Sequence, residues 1–395
     1  MKTPFFLIDE DKLKKNIDDF ENALKEIWPN SQLAYSVKTN SLPWLLEYLK
    51  DKNVFAEVVS DEELDLAKLC GYSMNSIIFN GPIKGEEHFK KAIEGEAILN
   101  LDSKNDLEFL KKYGSKERSI GIRVNVSPEM FSKEDIGYEE DGFRFGFTDE
   151  NGSLQKALET VYEYCPKVKL GLHLHCNSIT RSVAVYKTIA EYAAYLIEKY
   201  ELNLDFIDIG GGFFGGVEGK PTPVDYIKAI KKELEKVVNI NKTKLIVEPG
   251  SAVIGSVVEL HTSVIDVKDT KHARVVTTDG SRIHIDPLWK KERYLYSTTA
   301  PKEQRNIPKQ IICGYTCMDH DRIMILEDEQ ELRQGDEIVY YRVGAYSMTF
   351  GGMFIRYLPE VYIKRNEKLV KVRERISTNQ YFKIQSFTEK GQYCL

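Results

Sequence analysis

Residues 169–212 read KLGLHLHCNSITRSVAVYKTIAEYAAYLIEKYELNLDFIDIGGG. Residues 169–175 (KLGLHLH) are a β-rich run, 187–200 (KTIAEYAAYLIEKY) repeat apolar side chains every three or four positions, and 206–210 (FIDIG) are β-rich again. Strand, helix of period 3.6, strand is a β/α/β unit, in which the two strands lie parallel in one sheet.

The same cue recurs on both sides. Residues 33–37 (LAYSV), 54–59 (VFAEVV), 77–79 (IIF), 97–101 (AILNL) and 119–125 (SIGIRVN) precede the unit and 244–248 (KLIVE) follows it, which makes eight runs. Helical segments such as DKLKKNIDDFENALKEI (11–27) and VDYIKAIKKELEKVV (224–238) lie between them. Ser60 followed by Glu63 reads as a capping box at one helix start. Eight β/α units in series predict an α/β fold, a (β/α)8 TIM-like barrel, over an open doubly wound sheet as the alternative. Residues 126–150, with Gly137, Gly142 and Gly146 among charges, read as a long loop on that barrel.

From about residue 253 the character changes. VIGSVVELHTSVIDVKD (253–269), HARVVTTDG (272–280), DEIVYYRVG (336–344) and EVYIKRNEKLVKV (360–372) read as antiparallel strands, with FFLI (5–8) as a further strand that pairs with them. The expected domains are a barrel over 9–252 and a mostly antiparallel β domain over 253–395, joined by the N-terminal strand 1–8. At 395 residues the chain exceeds what one core usually serves, and 42% hydrophobic with 29% charged residues is ordinary globular usage.

A net charge of −6 and a pI near 5.8, without a basic block, argue against a nucleic-acid partner. No stretch approaches the roughly 18 apolar residues of a membrane span, and MKTPFFLIDEDKLKK lacks a secretory signature. The six cysteines, Cys70, Cys165, Cys176, Cys313, Cys317 and Cys394, form no CxxC pair. A reducing, cytoplasmic setting is expected, and no metal is.

In β/α barrels chemistry gathers at the C-terminal ends of the strands. Here the first run ends in Tyr35-Ser36-Val37-Lys38, the second carries Glu57, the fifth carries Arg123, the sixth ends in His173-Leu174-His175, the seventh runs into Gly210-Gly211-Gly212 and the eighth into Glu248-Pro249-Gly250. The loops after strands seven and eight are the usual phosphate seat of such barrels, and glycines let backbone N–H groups approach an anion. A lysine aimed into a barrel mouth is costly as a bare charge and useful as an imine to an aldehyde.

Over nearly its whole length the chain resembles the fold-type III decarboxylases dependent on pyridoxal 5′-phosphate (PLP), the family of ornithine, diaminopimelate, arginine and carboxynorspermidine decarboxylases. Tyr35-Ser36-Val37-Lys38-Thr39-Asn40 matches that family's cofactor-lysine segment, which implies that Lys38 carries PLP as a Schiff base. His175-Cys176-Asn177-Ser178 sits where the family has a ring-stacking histidine and a phosphate-binding serine, with Asn177 in place of the usual glycine. Gly211 and Gly212 in the glycine run, and Gly250 after Glu-Pro, resemble cofactor-binding positions. Glu248 matches the carboxylate on the pyridine nitrogen, and Glu57 and Arg123 match positions near the imine. Gly314-Tyr315-Thr316-Cys317-Met318-Asp319-His320-Asp321 resembles the segment that lends a cysteine to the other subunit's site, and Gly344-Ala345-Tyr346 the segment whose tyrosine contacts the phosphate.

The resemblance implies an amino-acid α-decarboxylase that yields an amine and CO₂. Lys38, His175, Glu248 and Cys317 are its catalytic groups, with Cys317, whose unperturbed thiol pKa is about 8.5, the proton donor to the α-carbon. A shared cysteine implies a homodimer with two composite sites.

The substrate pocket departs from the family. Met318 replaces the acidic residue that holds a distal ammonium in diamine-forming relatives, and another acidic position lines up with Lys290 in DPLWKK. Diaminopimelate enzymes carry an arginine directly after Glu-Pro-Gly for the distal carboxylate; this chain has Ser251. Arg282, in Asp279-Gly280-Ser281-Arg282, supplies an arginine elsewhere. With Lys290, Met318, Asp319 and Arg282 as substrate contacts, the expected substrate is an amino acid with an extended acidic or acylated side chain, ahead of meso-diaminopimelate. A racemase of the same barrel type is disfavoured by Glu248, and a non-catalytic PLP-binding or regulatory protein by the retention of Lys38, His175, Glu248, Cys317 and Tyr346.

Overall fold

The computed structural model describes residues 1–114, 117–137, 142–300 and 305–386. Cys394 and positions 138–141 of the 126–150 loop lie outside the described residues. The chain divides into two compact units, Lys15–Val253 and Met1–Lys14 with Ile254–Leu395.

The first unit is built on eight parallel strands closed into a barrel, so the open sheet is excluded. In order they are Ser31–Ser36, Phe55–Val58, Ile77–Phe79, Ile98–Leu101, Ser119–Val124, Lys169–Leu174, Phe206–Asp208 and Lys244–Val247. Closure comes where the first strand pairs with the last, Leu33 standing beside Val247. These strands read as apolar runs rather than alternations because helices cover one face and the barrel core the other. Ile77–Phe79 and Ile98–Leu101 are buried at every position. Ala34, Ile78, Ile98, Phe206 and Ile246 meet inside the barrel.

The helices follow their periodicity. Val183–Lys199 turns Val185, Ile189, Ala193 and Leu196 inward, and Ser182 caps it by accepting the N–H of Val185. Ser60 likewise accepts the N–H of Glu63 at 3.2 Å. The return half of that capping box differs: the Glu63 carboxylate reaches one residue further, to the N–H of Val59 at 2.9 Å. In the 126–150 loop, Asn125 donates to the carbonyls of Phe143 (2.5 Å) and Phe145 (2.7 Å), and Gly146 N–H donates to Asp102 (2.9 Å).

The second unit is a mostly antiparallel sheet. Its central strand, Val258–Asp269, pairs antiparallel with Phe5–Asp9, Arg274–Thr278 and Glu337–Tyr341. Phe5–Asp9 is also parallel to Glu360–Arg365, and Arg274–Thr278 to Asn306–Cys313, so the sheet is mixed at two places. Arg322–Gln330 and Lys368–Arg373 close its ends. Among the described residues no helix is long and apolar enough to cross a membrane.

Candidate active site

Lys38 leaves the barrel wall on the short turn Val37–Thr39, directly after the first strand. Its Nζ donates to both carboxylate oxygens of Glu57, at 3.0 and 2.8 Å. Glu57 is 1% exposed, and a carboxylate so deep in the wall requires a cation and donors. Its second donor is Asn80, whose Nδ2 lies 3.1 Å from Glu57 Oε1 and 2.8 Å from Glu248 Oε1. Asn100 holds Asn80 in turn, donating to its Oδ1 at 2.8 Å and to Asp208 Oδ2 at 2.9 Å. Gly210 N–H occupies the other Asp208 oxygen at 2.9 Å.

Glu248 and Asp208 form the acidic end of this chain. Burial pushes the Glu248 carboxyl well above the usual carboxylate range, and the negative charges of Asp208 and Glu57 push it further. Asp208 is raised as well, again by burial first. Side by side in the wall, two buried carboxyls resist ionising together. His173, whose Nε2 is 3.7 Å from Glu248 Oε2, is held neutral by burial and by the Arg123 cation. Among the described residues, neither ring nitrogen has a hydrogen-bond partner. The ligand atoms of His173, Asp208 and Glu248 all lie within 4.8 Å of one another.

His175 is also neutral, its pKa lowered to about 3 by burial and by Arg123 and Lys38. Arg123 donates to Asp102 at 3.2 Å and lies 4.7 Å from the centre of the Phe145 ring, while its Nε has no partner. Ser178 donates to the carbonyl of Asp135 at 3.0 Å. The glycine run follows the seventh strand. Gly210 has φ +66°, and a Cβ there would stand 2.7–2.8 Å from Cβ, Cγ and Nδ1 of His175, so only bare backbone lets the imidazole lie against the loop. Tyr186 donates to the carbonyl of Gly211 at 2.9 Å and stacks on Phe213. Gly250 stands beside Thr39 and Ser36, at the foot of the lysine turn.

Lys38, Glu57, Arg123, His175, Ser178, Gly211, Gly212, Glu248 and Gly250 thus all lie in the barrel unit, on or just past the C-terminal ends of its strands. Cys317, Met318, Asp319, Lys290, Arg282 and Tyr346 belong to the other unit. There Cys317 is exposed on the turn after Asn306–Cys313. Asp321, 2% exposed, braces that turn by accepting from Thr316 Oγ1 (2.7 Å), Ser281 Oγ (2.8 Å) and Arg282 N (3.0 Å). Met318 is half-buried, Asp319 and Lys290 are exposed, and Tyr346 has φ 59°. The Arg282 guanidinium pairs with Asp286 at 3.1 Å and lies over Trp289 at 5.1 Å.

Three polar residues of the site, Asn80, Asn100 and Asp208, carry no motif. Their signal is compositional: each interrupts or ends an apolar barrel strand, and a buried polar group there needs partners.

The residues present fit pyridoxal phosphate. Lys38 offers an amine for the aldehyde, the Glu248 carboxyl suits a basic ring nitrogen, neutral His175 offers a flat face, and the glycine loop lies directly beside it. The model for the pyridoxal-binding domain of pyridoxal-dependent decarboxylases matches residues 10–255. The chain is 26% identical over 371 residues to diaminopimelate decarboxylase of Aquifex aeolicus, covering 89% of this chain and 84% of that one. To the Archaeoglobus fulgidus diaminopimelate decarboxylase it is 27% identical over 365 residues, covering 89% and 85%. Its fold is similar to the M. jannaschii diaminopimelate decarboxylase solved with L-lysine, with TM-score 0.84, 22% identity and coverage of 99% and 93%. It is also similar to the Paramecium bursaria Chlorella virus arginine decarboxylase bound to agmatine, with TM-score 0.75, 21% identity and coverage of 92% and 96%. A barrel with a lysine at its mouth, a buried acid pair and a glycine cradle, matched by that family over more than half its length, has one assignment: the chain belongs to the pyridoxal-dependent decarboxylases and is a PLP-dependent carboxy-lyase.

Proposed function

We propose that the chain decarboxylates meso-diaminopimelate. The observation that carries the chemistry is the hydrogen-bonded path from Lys38 through Glu57 and Asn80 to Glu248, with Asn100 extending it to Asp208, which joins an amine to a buried acid pair across the barrel end. The naming of the curated relatives as diaminopimelate decarboxylases favours this substrate over the acylated or otherwise acidic side chain expected from the pocket residues alone.

Bound there, pyridoxal phosphate supplies an aldehyde for the substrate amine and a ring that takes up the electron pair left when the carboxylate departs. Lys38 must lose a proton before its Nζ can bond to an aldehyde, and Glu57, in contact through both oxygens, is the acceptor. With the group bound, Glu248, to whose Oε1 Asn80 donates, would hold the ring nitrogen in its protonated form. His175, being neutral, orients by its face without repelling a protonated ring. Cys317 of a second copy of the chain gives the proton that replaces CO₂ on the α-carbon, which makes the working form a homodimer.

A second reading rests on Met318 and Ser251. Neither offers charge to the far end of diaminopimelate, and the Arg282 guanidinium is taken by Asp286. These favour a substrate whose far end lacks an ammonium. A CO₂-release screen over meso-diaminopimelate, L-ornithine, L-lysine and amino acids with acidic or acylated side chains decides. Release from meso-diaminopimelate above all others is expected; preference for L-ornithine would overturn both readings.

A further inference from the structure

Arg181 has no place in the assignments above. It lies on the loop after the sixth barrel strand with φ 52°, a left-handed backbone that residues bearing a side chain seldom adopt. Four contacts hold it there. Its N–H donates to Ser178 Oγ at 3.0 Å, and its carbonyl accepts from the Tyr226 hydroxyl at 2.7 Å. Its Nη1 donates to Ser251 Oγ at 3.0 Å, and its guanidinium lies 5.4 Å from the centre of the Phe214 ring. Ser178 and Phe214 stand on the loops after the sixth and seventh strands and Ser251 opens the short helix after the eighth, so one cation is fixed by segments that follow three adjacent strands.

An arginine serving only solubility needs neither strain nor anchors, whereas strain kept in place by several contacts marks function. Among the described residues no carboxylate pairs with this guanidinium. Lys220 lies over the same Phe214 ring at 5.2 Å, which adds positive charge beside the glycine loop. Ser251 follows Glu-Pro-Gly, where the diaminopimelate enzymes carry an arginine; here a guanidinium reaches that spot from a different loop.

We propose that Arg181 is the cation of the cofactor's phosphate seat, its guanidinium placed by Ser251 and Phe214 to meet the phosphate held by the glycine run. This rests on the pyridoxal phosphate reading. The phosphate is favoured over a substrate carboxylate because Arg181 is bonded to Ser178 and packed on Phe214, both of which border the glycine loop after strand seven, the usual phosphate side of such barrels.

The test is titration of apo-protein with pyridoxal phosphate and, separately, with pyridoxal, which lacks the phosphate, followed by absorbance. Arg181→Gln should raise the Kd for pyridoxal phosphate roughly ten- to a hundredfold, the range of a charged hydrogen bond, and leave the Kd for pyridoxal within about twofold; Arg181→Lys should recover part of the loss. Ser251→Ala removes only the anchor and should raise the pyridoxal phosphate Kd severalfold, so the proposal stays testable even where Arg181→Gln fails to fold. An unchanged pyridoxal phosphate Kd in both variants, or equal weakening of the two ligands, would overturn it. A raised KM for a dicarboxylic substrate with unchanged cofactor affinity would move the guanidinium to the substrate and overturn it too. Wild-type protein that binds neither ligand would instead overturn the cofactor reading beneath it.

Discussion

Asn80 is bonded to Glu248 by a 2.8 Å contact from its amide to Oε1, and the same nitrogen reaches Glu57, so one neutral side chain ties the lysine end of the site to the acid end. Asn80→Leu keeps the volume and removes every side-chain bond. Glu57 and Glu248 each lose a donor and Asn100 loses an acceptor, all within the buried wall. We expect a loss of about 3 kcal/mol in apo-protein stability, the sum of two or three buried bonds involving charged groups. Urea unfolding of the two proteins measures it; a loss below about 1 kcal/mol would show that water replaces Asn80.

Lys38→Ala should abolish the cofactor's visible absorbance and all CO₂ release. Glu57 then keeps Asn80 as its donor but has no cation, so added methylamine or ethylamine should restore a measurable fraction of turnover. Retained chromophore and rate in the variant would remove Lys38 from the mechanism.

The pH dependence of stability has a signature at Glu63. Burial, and after it the negative charge of Glu57, raise its carboxyl from 4.5 to about 7. The folded state then binds a proton that the unfolded state has already released, so stability falls as pH rises from about 4.5 to 7 and stays lower above that. The full displacement corresponds to roughly 3 kcal/mol. Glu63→Gln keeps an oxygen for the N–H of Val59 and cannot ionise. It should therefore exceed wild type in stability at pH 8 by up to about 3 kcal/mol and match it near pH 4.5, read by denaturant midpoints at the two pH values. Equal midpoints at pH 8 would mean that Glu63 ionises at its ordinary pKa.

The barrel was legible because each of its strands is an apolar run bounded by polar turns, and all eight expected runs coincide with strands to within two residues at either end. The strands Asn306–Cys313 and Arg322–Gln330 were not legible. The first begins with exposed Asn306, Pro308 and Lys309, and the second ends in the acidic run 327–329, so neither shows a sustained alternation. In the site, charged residues at strand ends and residues inside a motif could be found, whereas the buried Asn100 and Asp208 could not. Asn100 sits in ILNL and Asp208 in FID, where a lone polar residue gives no hint of its partner; closing the barrel is what brings them to 2.9 Å. Arg181 was hidden for another reason, since its place follows from a backbone angle that the local sequence does not announce.

Asp321 offers a way to separate cofactor binding from the later proton step. Its buried carboxylate accepts from Thr316 Oγ1, Ser281 Oγ and the N–H of Arg282, and so fixes the turn on which Cys317 stands to the loop at 281–282. Asp321→Ala leaves these donors unpaired and should lower stability by roughly 2–4 kcal/mol. Asp321 and the barrel's cofactor candidates belong to different units, so the Kd for pyridoxal phosphate should stay within about twofold of wild type. Turnover should nevertheless fall at least tenfold, because a thiol displaced by an ångström no longer meets the α-carbon. Cys317→Ala should show the same pattern without the stability loss, its affinity for the cofactor intact and its amine product reduced. Were Asp321→Ala to turn over normally while Cys317→Ala did not, the thiol would be placed by something other than this brace; were both normal, Cys317 would have no part in the proton transfer.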